Sequence, residues 1–373
     1  MAGLENITPW NEWFSFNQDS PLLIAGPCSA ESEEQVLSTA RELAKIDQVK
    51  VFRSGIWKPR TRPGNFEGVG ETGLKWLRKV KEETGLLTAV EVAYPEHIKA
   101  CVDNGIDIVW IGARTTANPF SVQELANTLQ GVDIPVLVKN PVNPDLSLWI
   151  GAIERLYKAG IRKLAAVHRG FFPFESTSYR NIPKWELVIE LKRTYPNLNI
   201  FSDPSHIGGT RDLIEGLSQK ALDLNMNGLM IESHISPDTA KSDAKQQITP
   251  AQLSEILENL SIRKANGLSE QVQNVLDQYR EQIDSIDNQM LELLAQRMDI
   301  VANIGKYKCE NDITILQLRR WESIIETRSR LGSTLGLEEE FVLKLLQLVH
   351  KESIQKQSTV MEGLEKCNKK KLG

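Results

Sequence analysis

The stretch "PLLIAGPCSAESEEQVLSTARELAKI" (residues 21–46) joins an apolar run to an amphipathic segment, and this pairing decides the fold of the longer part of the chain. Residues 21–28 have the short, continuous apolar character of a buried strand. In 31–46 the apolar residues return every three or four positions, which is typical of a helix covering one face of a sheet. Strands that alternate with such helices form parallel α/β folds, so the number of repeats decides the architecture.

The same unit recurs until about residue 260, each strand-like run being followed by a helical stretch. The seven further runs are "KVFRSG" (50–55), "LLTAVEV" (86–92), "DIVWIGA" (107–113), "PVLVKN" (135–140), "KLAAVHRG" (163–170), "NIFSDPS" (199–205) and "GLMIESH" (228–234). Eight β/α units in about 240 residues predict a (β/α)8 TIM barrel over 21–260, with its active site at the carboxyl ends of the strands. A doubly wound open sheet is the alternative.

Composition and charge narrow the class of protein. The 373 residues carry a net charge of −5, which gives no general attraction to nucleic acid. No run reaches the roughly 18 apolar residues of a membrane span, and "MAGLENITPWNEW" (1–13) lacks the basic and apolar regions of a signal peptide. We therefore expect a cytoplasmic protein with a short extension at 1–20. The four cysteines contain no C-x-x-C pair, which excludes a disulfide framework or a zinc ribbon: Cys28, Cys101, Cys309 and Cys367.

A different pattern begins around "SIRKANGLSE" (261–270), where we expect a linker at 261–271 and a helical domain at 272–360. Apolar residues recur every seven positions, as in a coiled-coil seam. The two seam positions hold Leu276, Ile283, Met290 and Ile304, and Tyr279, Ile286, Leu293 and Ile300. A helix of this length extends about 55–60 Å, too far for one small domain to bury, so the pattern predicts an intertwined dimer. Residues 361–373 are expected to form a disordered basic tail.

Basic residues follow several predicted strands of the barrel. Arg53 ends the second, Arg114 follows the fourth, Lys139 ends the fifth and Arg169 follows the sixth, while "IWKPRTRPG" (56–64) adds Lys58, Arg60 and Thr61. Because strand ends of a parallel barrel meet at one rim, these cations indicate anionic substrates bearing phosphate or carboxylate groups. Solvated surface charge is the alternative.

Soft and acidic residues fall at the same rim, on neighbouring strands. Cys28 ends the first strand, His206 follows the seventh, Glu232 lies in the eighth and Asp243 in the next loop. A thiol, an imidazole and two carboxylates together suit a divalent transition metal without selecting one. Taken singly, Cys28 reads as a small buried hydrophobic residue and His206 as a structural histidine.

Seven ordered motifs then carry a resemblance that covers essentially all of 20–260. They are "GPCSAES", "KPRTRPG", "GARTT", "LVKNP", "HRGF", "DPSHIGG" and "MIESH" with "SDAKQQ". The chain resembles 3-deoxy-D-arabino-heptulosonate 7-phosphate synthase of the shorter bacterial type. The resemblance implies condensation of phosphoenolpyruvate with erythrose 4-phosphate, the first step of the shikimate pathway. The sister synthase of 3-deoxy-D-manno-octulosonate 8-phosphate is the rival, although its usual loop differs from "KPRTRPG".

The resemblance also implies roles for individual residues. It makes Lys58, Cys28 and His206 catalytic, with Lys58 a candidate proton donor. The implied ligands of a divalent metal ion (Mn²⁺, Fe²⁺, Co²⁺ or Zn²⁺) are Cys28, His206, Glu232 and Asp243. The implied phosphoenolpyruvate-binding residues are Arg53, Lys58, Arg114, Lys139 and Arg169. The implied erythrose 4-phosphate-binding residues are Lys58, Pro59, Arg60 and Thr61.

In the helical domain, Arg297 interrupts the apolar seam, and a charge there is costly unless it is paired or used. A polar residue that sets the register, or a snorkelling side chain, is the alternative. Lys308 lies 11 residues further on, nearly three turns, so both side chains share a face. Arg280 precedes Arg297 by 17 residues, about 25 Å along the axis, and should serve the partner chain's site.

"YREQIDSIDNQMLELLAQRMDIVANIGKYK" (279–308) resembles the all-helical chorismate mutase domain, which works as an intertwined dimer and converts chorismate to prephenate. The implied binding residues are Arg280, Arg297, Lys308, Arg320, Ser353 and Gln357. Gln317 and Trp321 stand where many members carry an aspartate and a glutamate, which leaves the contact to the ring hydroxyl open, with Glu322 a candidate for it. The alternative is a weak mutase that only dimerises and senses its ligand. Feedback inhibition by prephenate or chorismate through this domain is expected, and the barrels could add a tetramer contact.

Overall fold

A computed structural model describes residues 4–14, 21–58, 64, 66–173, 177–263 and 269–371, the last seven of these by backbone only. The chain divides into two units, Met1–Ala265 and Asn266–Gly373. Among the described helices, none is long and apolar enough to cross a membrane.

The first unit contains eight parallel strands that close into a barrel in sequence order. The strands are β1 (Leu22–Gly26), β2 (Val49–Arg53), β3 (Leu87–Val92), β4 (Ile108–Ile111), β5 (Val136–Lys139), β6 (Leu164–His168), β7 (Asn199–Ser202) and β8 (Gly228–Glu232). β8 pairs with β1 along the full length of both strands, which closes the ring. The predicted TIM barrel is confirmed, and an open doubly wound sheet is excluded.

Helices surround this barrel, and side-chain caps start several of them. Ser32 accepts from the Gln35 backbone at the start of the first helix, and Thr249 with Gln252 forms a capping box at the last. The helices are α1 (Glu33–Leu43), α2 (Thr72–Thr84), α3 (Pro95–Asp103), α4 (Ala113–Thr116), α5 (Pro119–Leu129), α6 (Leu146–Lys158), α7 (Trp185–Thr194), α8 (Pro204–Gly208), α9 (Ile214–Asp223) and α10 (Pro250–Asn259). Short 3-10 helices cover Trp10–Glu12, Arg211–Leu213, Pro237–Thr239 and Ala244–Gln246.

The core has two layers because strand side chains alternate between the two faces of the sheet. In β1, Leu22 and Ile24 belong to the cluster inside the barrel, whereas Leu23 and Ala25 belong to the cluster beneath the helices. The N-terminal segment contributes to the inner cluster through Trp10 and Trp13. The Trp10 backbone N–H donates to Asn199 Oδ1 at 3.0 Å, at the start of β7. Trp10 and Trp13 of the expected extension therefore pack into the amino end of the barrel, opposite the predicted site.

The second unit consists of α11 (Glu270–Glu310), α12 (Leu318–Thr334) and α13 (Glu339–Lys371). α13 packs against both α11 and α12. All eight seam residues are exposed, from 36% at Leu276 to 63% at Leu293. One chain therefore leaves the predicted seam uncovered.

The structure differs from the expected disordered basic tail at 361–373. α13 continues to Lys371, so most of this segment is helical. The physical reason is that 339–371 contains no proline and a single glycine, Gly363.

Candidate active sites

A cavity of about 440 Å³ lies at the carboxyl ends of the barrel strands. Four of the five cations predicted to bind phosphoenolpyruvate line it: Lys58, Arg114, Lys139 and Arg169. The fifth, Arg53, is 1% exposed and lies below the cavity, 3.2 Å from Glu232 Oε1 and 4.8 Å from the centre of the Trp110 ring. This arrangement is consistent with the prediction that the cations meet at one rim of the barrel.

Buried carboxylates hold part of this cationic wall in place. Lys139 Nζ lies 2.7 Å from Asp203 Oδ2, and both side chains are almost fully buried. Burial lowers the pKa of Lys139, and the nearby Asp203 opposes that effect only in part. Burial alone would raise the pKa of Asp203, but His206 and Lys139 bring it well below its usual range. Asp203 is therefore a fixed negative charge beside Lys139 and His206, which line the cavity.

Three of the four predicted metal ligands converge beside the cavity. Cys28, Glu232 and Asp243 each present a donor atom, and these atoms all lie within 4.8 Å of one another. Cys28 Sγ is 3.3 Å from Asp243 Oδ2. The fourth residue, His206, adjoins this group through Nε2, which lies 3.7 Å from Glu232 Oε1. Its other ring nitrogen, Nδ1, lies 2.8 Å from Asp203 Oδ2.

The residues present fit a divalent metal ion. Glu232 is fully buried, and its Oε1 lies 3.2 Å from the Arg53 guanidinium without a contact that meets hydrogen-bond geometry among the described residues. Cys28, Glu232 and Asp243 would repel one another when all three are ionised within 4.8 Å, so a divalent cation between them would stabilise the cluster. The Asp203 contact to His206 also follows a common arrangement, in which a carboxylate orients the imidazole of a metal ligand.

Without a cation, the cluster favours a protonated thiol. Burial first, and the negative charge of Glu232 second, raise the pKa of Cys28 to about 12. Lys58 Nζ, 3.0 Å from Cys28 Sγ, acts in the opposite direction. A divalent cation bound to the sulfur would favour the thiolate outright.

Two charged residues that line the cavity were not predicted from the sequence, Arg180 and Glu91. Arg180 lies between β6 and α7, outside any regular element, so no periodic pattern marks it. Glu91 lies within β3, and its Oε2 accepts from the indole of Trp110 at 3.2 Å. For Glu91 the sequence did offer a signal of function, because an acidic residue interrupts the apolar run "LLTAVEV". Three predicted sugar-phosphate residues, Pro59, Arg60 and Thr61, lie outside the described residues.

In the second unit, α11 and α13 bring three of the six predicted binding residues into contact, Arg297, Ser353 and Gln357, and Lys308 lies one turn beyond Gly305 on α11. The Arg297 guanidinium donates to Ser353 Oγ at 2.6 Å. Gln357 Nε2 donates to the Ser353 carbonyl at 3.3 Å, and Gly305 allows the α13 backbone to approach. Lys308 is buried, and its ammonium donates to the Ile315 carbonyl. These contacts place polar groups on facing surfaces of two helices.

The other two predicted residues lie apart from this group within one chain. Arg280 is on the exposed N-terminal part of α11, 2.7 Å from Asp277 Oδ1. Arg320 is exposed on the first turn of α12. Arg280 is thus separated from Arg297 within one chain, and its role in a neighbouring chain stays a prediction.

The two departures from the mutase pattern have a structural counterpart. The Trp321 ring stacks on the His350 ring, with centroids 4.0 Å apart and planes 12° from parallel. His350 Nε2 is buried and has no hydrogen-bond partner among the described residues. Gln317 is the N-cap residue of α12, and Glu322 is exposed. An aromatic pair thus occupies the region where an acidic contact was expected.

Comparison with known families matches both units. The profile described as "DAHP synthetase I family" matches residues 12–266. The profile described as "Chorismate mutase type II" matches residues 279–358. The second match begins at residue 279, within α11, and ends at residue 358, within α13.

Individual relatives support the assignment of the barrel. A protein of Thermotoga maritima named "Phospho-2-dehydro-3-deoxyheptonate aldolase" is 34% identical over 226 residues, which are 61% of this chain and 64% of that protein. A protein of Paraburkholderia xenovorans named "2-dehydro-3-deoxyphosphooctonate aldolase" is 26% identical over 274 residues, covering 66% of this chain and 92% of that protein. The chain thus spans less than two thirds of the length of the Thermotoga relative, at 64%.

Solved structures give the same result. The crystal structure of the Thermotoga maritima "Phospho-2-dehydro-3-deoxyheptonate aldolase (DAHP synthase)" superposes with a TM-score of 0.58 at 32% identity, over 64% of this chain and 68% of that chain. A truncated form of the "3-deoxy-D-arabino-heptulosonate 7-phosphate synthase" of the same organism gives 0.56 at 29%, over 64% and 84%. With most of its barrel unit matched by one family profile, this chain belongs to the DAHP synthetase I family.

Proposed function

We propose that the barrel unit condenses phosphoenolpyruvate with erythrose 4-phosphate to 3-deoxy-D-arabino-heptulosonate 7-phosphate and inorganic phosphate. The observation that carries this proposal is the 3.0 Å contact between Lys58 Nζ and Cys28 Sγ. It joins a cationic cavity suited to a phosphorylated acid to a donor cluster suited to a metal ion. The two requirements of the reaction, an anion clamp and an electrophilic centre, therefore lie side by side.

In this proposal the cations of the cavity hold and align phosphoenolpyruvate. Arg114, Lys139 and Arg169 neutralise its phosphate and carboxylate groups, with Lys58 beside them and Arg53 beneath. C3 of the enol attacks the aldehyde carbon, water adds at C2 and phosphate leaves. Fixing both anionic substrates converts a repulsive encounter into a reaction between oriented groups. Lys58 is the proposed proton donor.

Cys28, His206, Glu232 and Asp243 are the proposed metal ligands. A bound divalent ion supplies Lewis acidity that polarises the aldehyde oxygen. The mixed donor set accepts Mn²⁺, Fe²⁺, Co²⁺ or Zn²⁺. Lys58, Pro59, Arg60 and Thr61 of the "KPRT" loop are proposed to hold the phosphate of the four-carbon sugar.

The second candidate for the barrel is the octulosonate synthase reaction, favoured by the similarity to the Paraburkholderia relative. That reaction needs a pentose phosphate in place of the tetrose. The test is phosphoenolpyruvate consumption with erythrose 4-phosphate against D-arabinose 5-phosphate, each with and without a chelator. Turnover restricted to erythrose 4-phosphate and lost on metal removal supports the proposal. Preference for the pentose, or full activity without metal, would contradict it.

We propose further that the helical unit rearranges chorismate to prephenate. The facing polar residues Arg297, Lys308, Ser353 and Gln357 support this activity. The reaction is a unimolecular rearrangement, so its catalyst needs only to hold the reactive conformer and place cations beside the breaking ether oxygen. Arg280 and Arg297 are proposed to bind the two carboxylates, with Arg320 nearby. Lys308 and Gln357 are proposed to contact the ether oxygen.

This second activity requires two chains in the proposal, because Arg280 is too far along α11 to reach the site of its own chain. The uncovered apolar seam supports an intertwined dimer. Chorismate consumption in the full-length protein, followed with and without chelator, tests the activity. Metal-independent turnover is expected, and its absence would leave the helical unit as a dimerising sensor.

Feedback through the helical unit is the regulatory part of the proposal. Prephenate or chorismate bound there is expected to lower synthase activity, which requires different affinities for two states of the protein. Titrating prephenate against synthase activity in the wild-type protein and in the Arg297→Ala variant tests this. Inhibition that is equal in both proteins would contradict it.

A further inference from the structure

Arg180 lies beside the proposed metal site without belonging to any predicted motif. Its backbone N–H donates to the Gly208 carbonyl at 3.2 Å, at the end of α8, the helix that carries His206. Gly209 follows with a φ of 73°, and a Cβ there would fall 2.4 Å from the Arg180 Cβ. A glycine is therefore needed for Arg180 to approach this turn. The base of the arginine is thus anchored to the segment that presents one proposed ligand.

The guanidinium of Arg180 reaches the far side of a second proposed ligand. Arg180 Nη1 lies 3.0 Å from Asp243 Oδ1. The other carboxylate oxygen, Oδ2, lies 3.3 Å from Cys28 Sγ. The arginine therefore holds the outer oxygen and leaves the inner oxygen directed at the donor cluster.

The same Nη1 also controls a third proposed ligand through an intermediate amide. It donates to Gln246 Oε1, so the Gln246 amide must turn its NH₂ group away from the arginine. Gln246 Nε2 donates to Glu232 Oε2 at 2.7 Å. The other oxygen, Glu232 Oε1, lies 3.2 Å from the Arg53 guanidinium and 3.7 Å from Nε2 of His206, another proposed ligand. Arg180 thus fixes one oxygen of Asp243 directly and one oxygen of Glu232 through Gln246.

The backbone at Asp243 gives a reason for such a clamp. Asp243 has φ 49° and ψ 36°, in the left-handed region that residues with a side chain seldom adopt. Such conformations persist when surrounding contacts determine them. The ion pair with Arg180 is a contact of that kind, because it fixes the side chain that this backbone presents.

We propose that Arg180 is a positioning residue that preorganises the Asp243 and Glu232 carboxylates for a divalent metal ion. The inference rests on the metal site of the proposed function and adds a residue outside its ligands. Loss of a hydrogen-bonding partner behind metal ligands typically weakens metal binding about 10–100-fold. The competing role, a direct contact to a substrate phosphate in the cavity, would instead change substrate affinity and leave metal affinity alone.

The test is Co²⁺ titration of the full-length, metal-free protein, followed by the absorption that thiolate coordination produces. Arg180→Met is expected to weaken Co²⁺ binding about 10–100-fold. Arg180→Lys, which keeps the charge but loses the forked donor geometry, is expected to recover part of that loss. Gln246→Met removes only the hydrogen-bonded link from Arg180 to Glu232, so its Co²⁺ affinity should lie between those of the wild-type protein and Arg180→Met. Thermal unfolding of each metal-free variant verifies folding.

Arg211→Gln is the matched control. Arg211 anchors the same loop through the Gln247 and Ala244 carbonyls, at 2.6 and 3.0 Å, and contacts neither proposed carboxylate ligand. It should bind Co²⁺ like the wild-type protein. The inference is overturned if Arg180→Met binds Co²⁺ as tightly as the wild-type protein, or if Arg211→Gln loses as much affinity. A wild-type protein that gives no thiolate–cobalt absorption would overturn the metal site itself, and the proposed barrel function with it.

Discussion

The ammonium group of Lys58 lies 3.0 Å from the thiol of Cys28, although the two residues come from the loops after different strands. Gly55 makes this possible, because a Cβ there would fall 2.6 Å from Lys58 Cε. Cys28 Sγ also contacts Asp243 Oδ2. The thiol thus has the cationic cavity on one side and the carboxylate cluster on the other, and its loss should affect the barrel alone.

Cys28→Ala is expected to lower synthase activity more than about 100-fold, because a metal ion is worth several kcal/mol of transition-state stabilisation. Chorismate turnover should remain at the wild-type level, since the helical unit needs no metal. Both activities are measured on the same preparation. Cys101→Ala is the matched control, because Cys101 is equally buried but lies on α3. Synthase activity that survives in Cys28→Ala would remove the cysteine from the site.

Much of the barrel site was predictable because topology brings distant residues together. Cys28 and Asp243 are 215 positions apart in the chain, yet closure of the barrel puts β1 beside β8. Eight β/α units predict a closed barrel, and the residues at the ends of the first and last strands are therefore expected to lie close together. Arg180 was not predictable in this way, because it reaches the site from an irregular segment whose course no periodicity fixes.

The packing of the remaining elements was also harder to predict, because it depends on segments and contacts that no periodic pattern in the sequence describes. Trp10 and Trp13 enter the barrel interior from a short segment that carries no repeating pattern. The basic character of 361–373 suggested disorder, but α13 continues to Lys371 because 339–371 contains no proline and a single glycine. The pairing of Trp321 with His350 depends on where α12 meets α13, which the spacing within either helix does not specify.

Arg297→Ala is expected to lower chorismate turnover about 10–100-fold, in line with the 1.5–3 kcal/mol of a hydrogen bond to a charged group. Ser353→Ala should have a smaller effect, because it removes the contact that orients the guanidinium and leaves the charge. The measurement is kcat/KM for chorismate. Arg330→Ala is the control, since Arg330 pairs with Glu326 on the exposed surface of α12. Equal values for Arg297→Ala and Arg330→Ala would exclude Arg297 from the binding site.

Leu293→Asp should convert a dimer to a monomer, because Leu293 is 63% exposed in the single chain and lies on the apolar seam of α11. A charge at that position would have to be buried without a partner in the dimer. Sedimentation measures the mass of the oligomer. Chorismate turnover should fall in the monomer, because Arg280 would no longer reach the site of a neighbouring chain. Phe120→Asp, at an exposed apolar residue on α5 of the barrel, is the control and should leave both unchanged. A Leu293→Asp protein that remains dimeric would contradict the prediction that two chains associate along this seam.

His168 should make the barrel sensitive to acid without taking part in chemistry. It ends β6, is fully buried and packs between Phe171 and Trp185. Its Nε2 donates to the Pro183 carbonyl, so Nδ1 is unprotonated, and Nδ1 has no hydrogen-bond partner among the described residues. Burial lowers the pKa of His168 from 6.5 to about 4. The folded protein therefore favours the neutral ring.

The sign of the effect follows from that depressed pKa. The stability contributed by neutral His168 is fully present above pH 6.5 and is lost as the pH falls toward about 4, because the unfolded chain binds the proton first. At about 1.4 kcal/mol per pH unit, the loss amounts to roughly 3 kcal/mol of the free energy of unfolding. Urea unfolding at several pH values measures it. His168→Gln can still donate to Pro183 but cannot titrate, so it should be less stable at neutral pH and show a flatter dependence across this window. Parallel pH profiles for the two proteins would show that other groups cause the acid sensitivity.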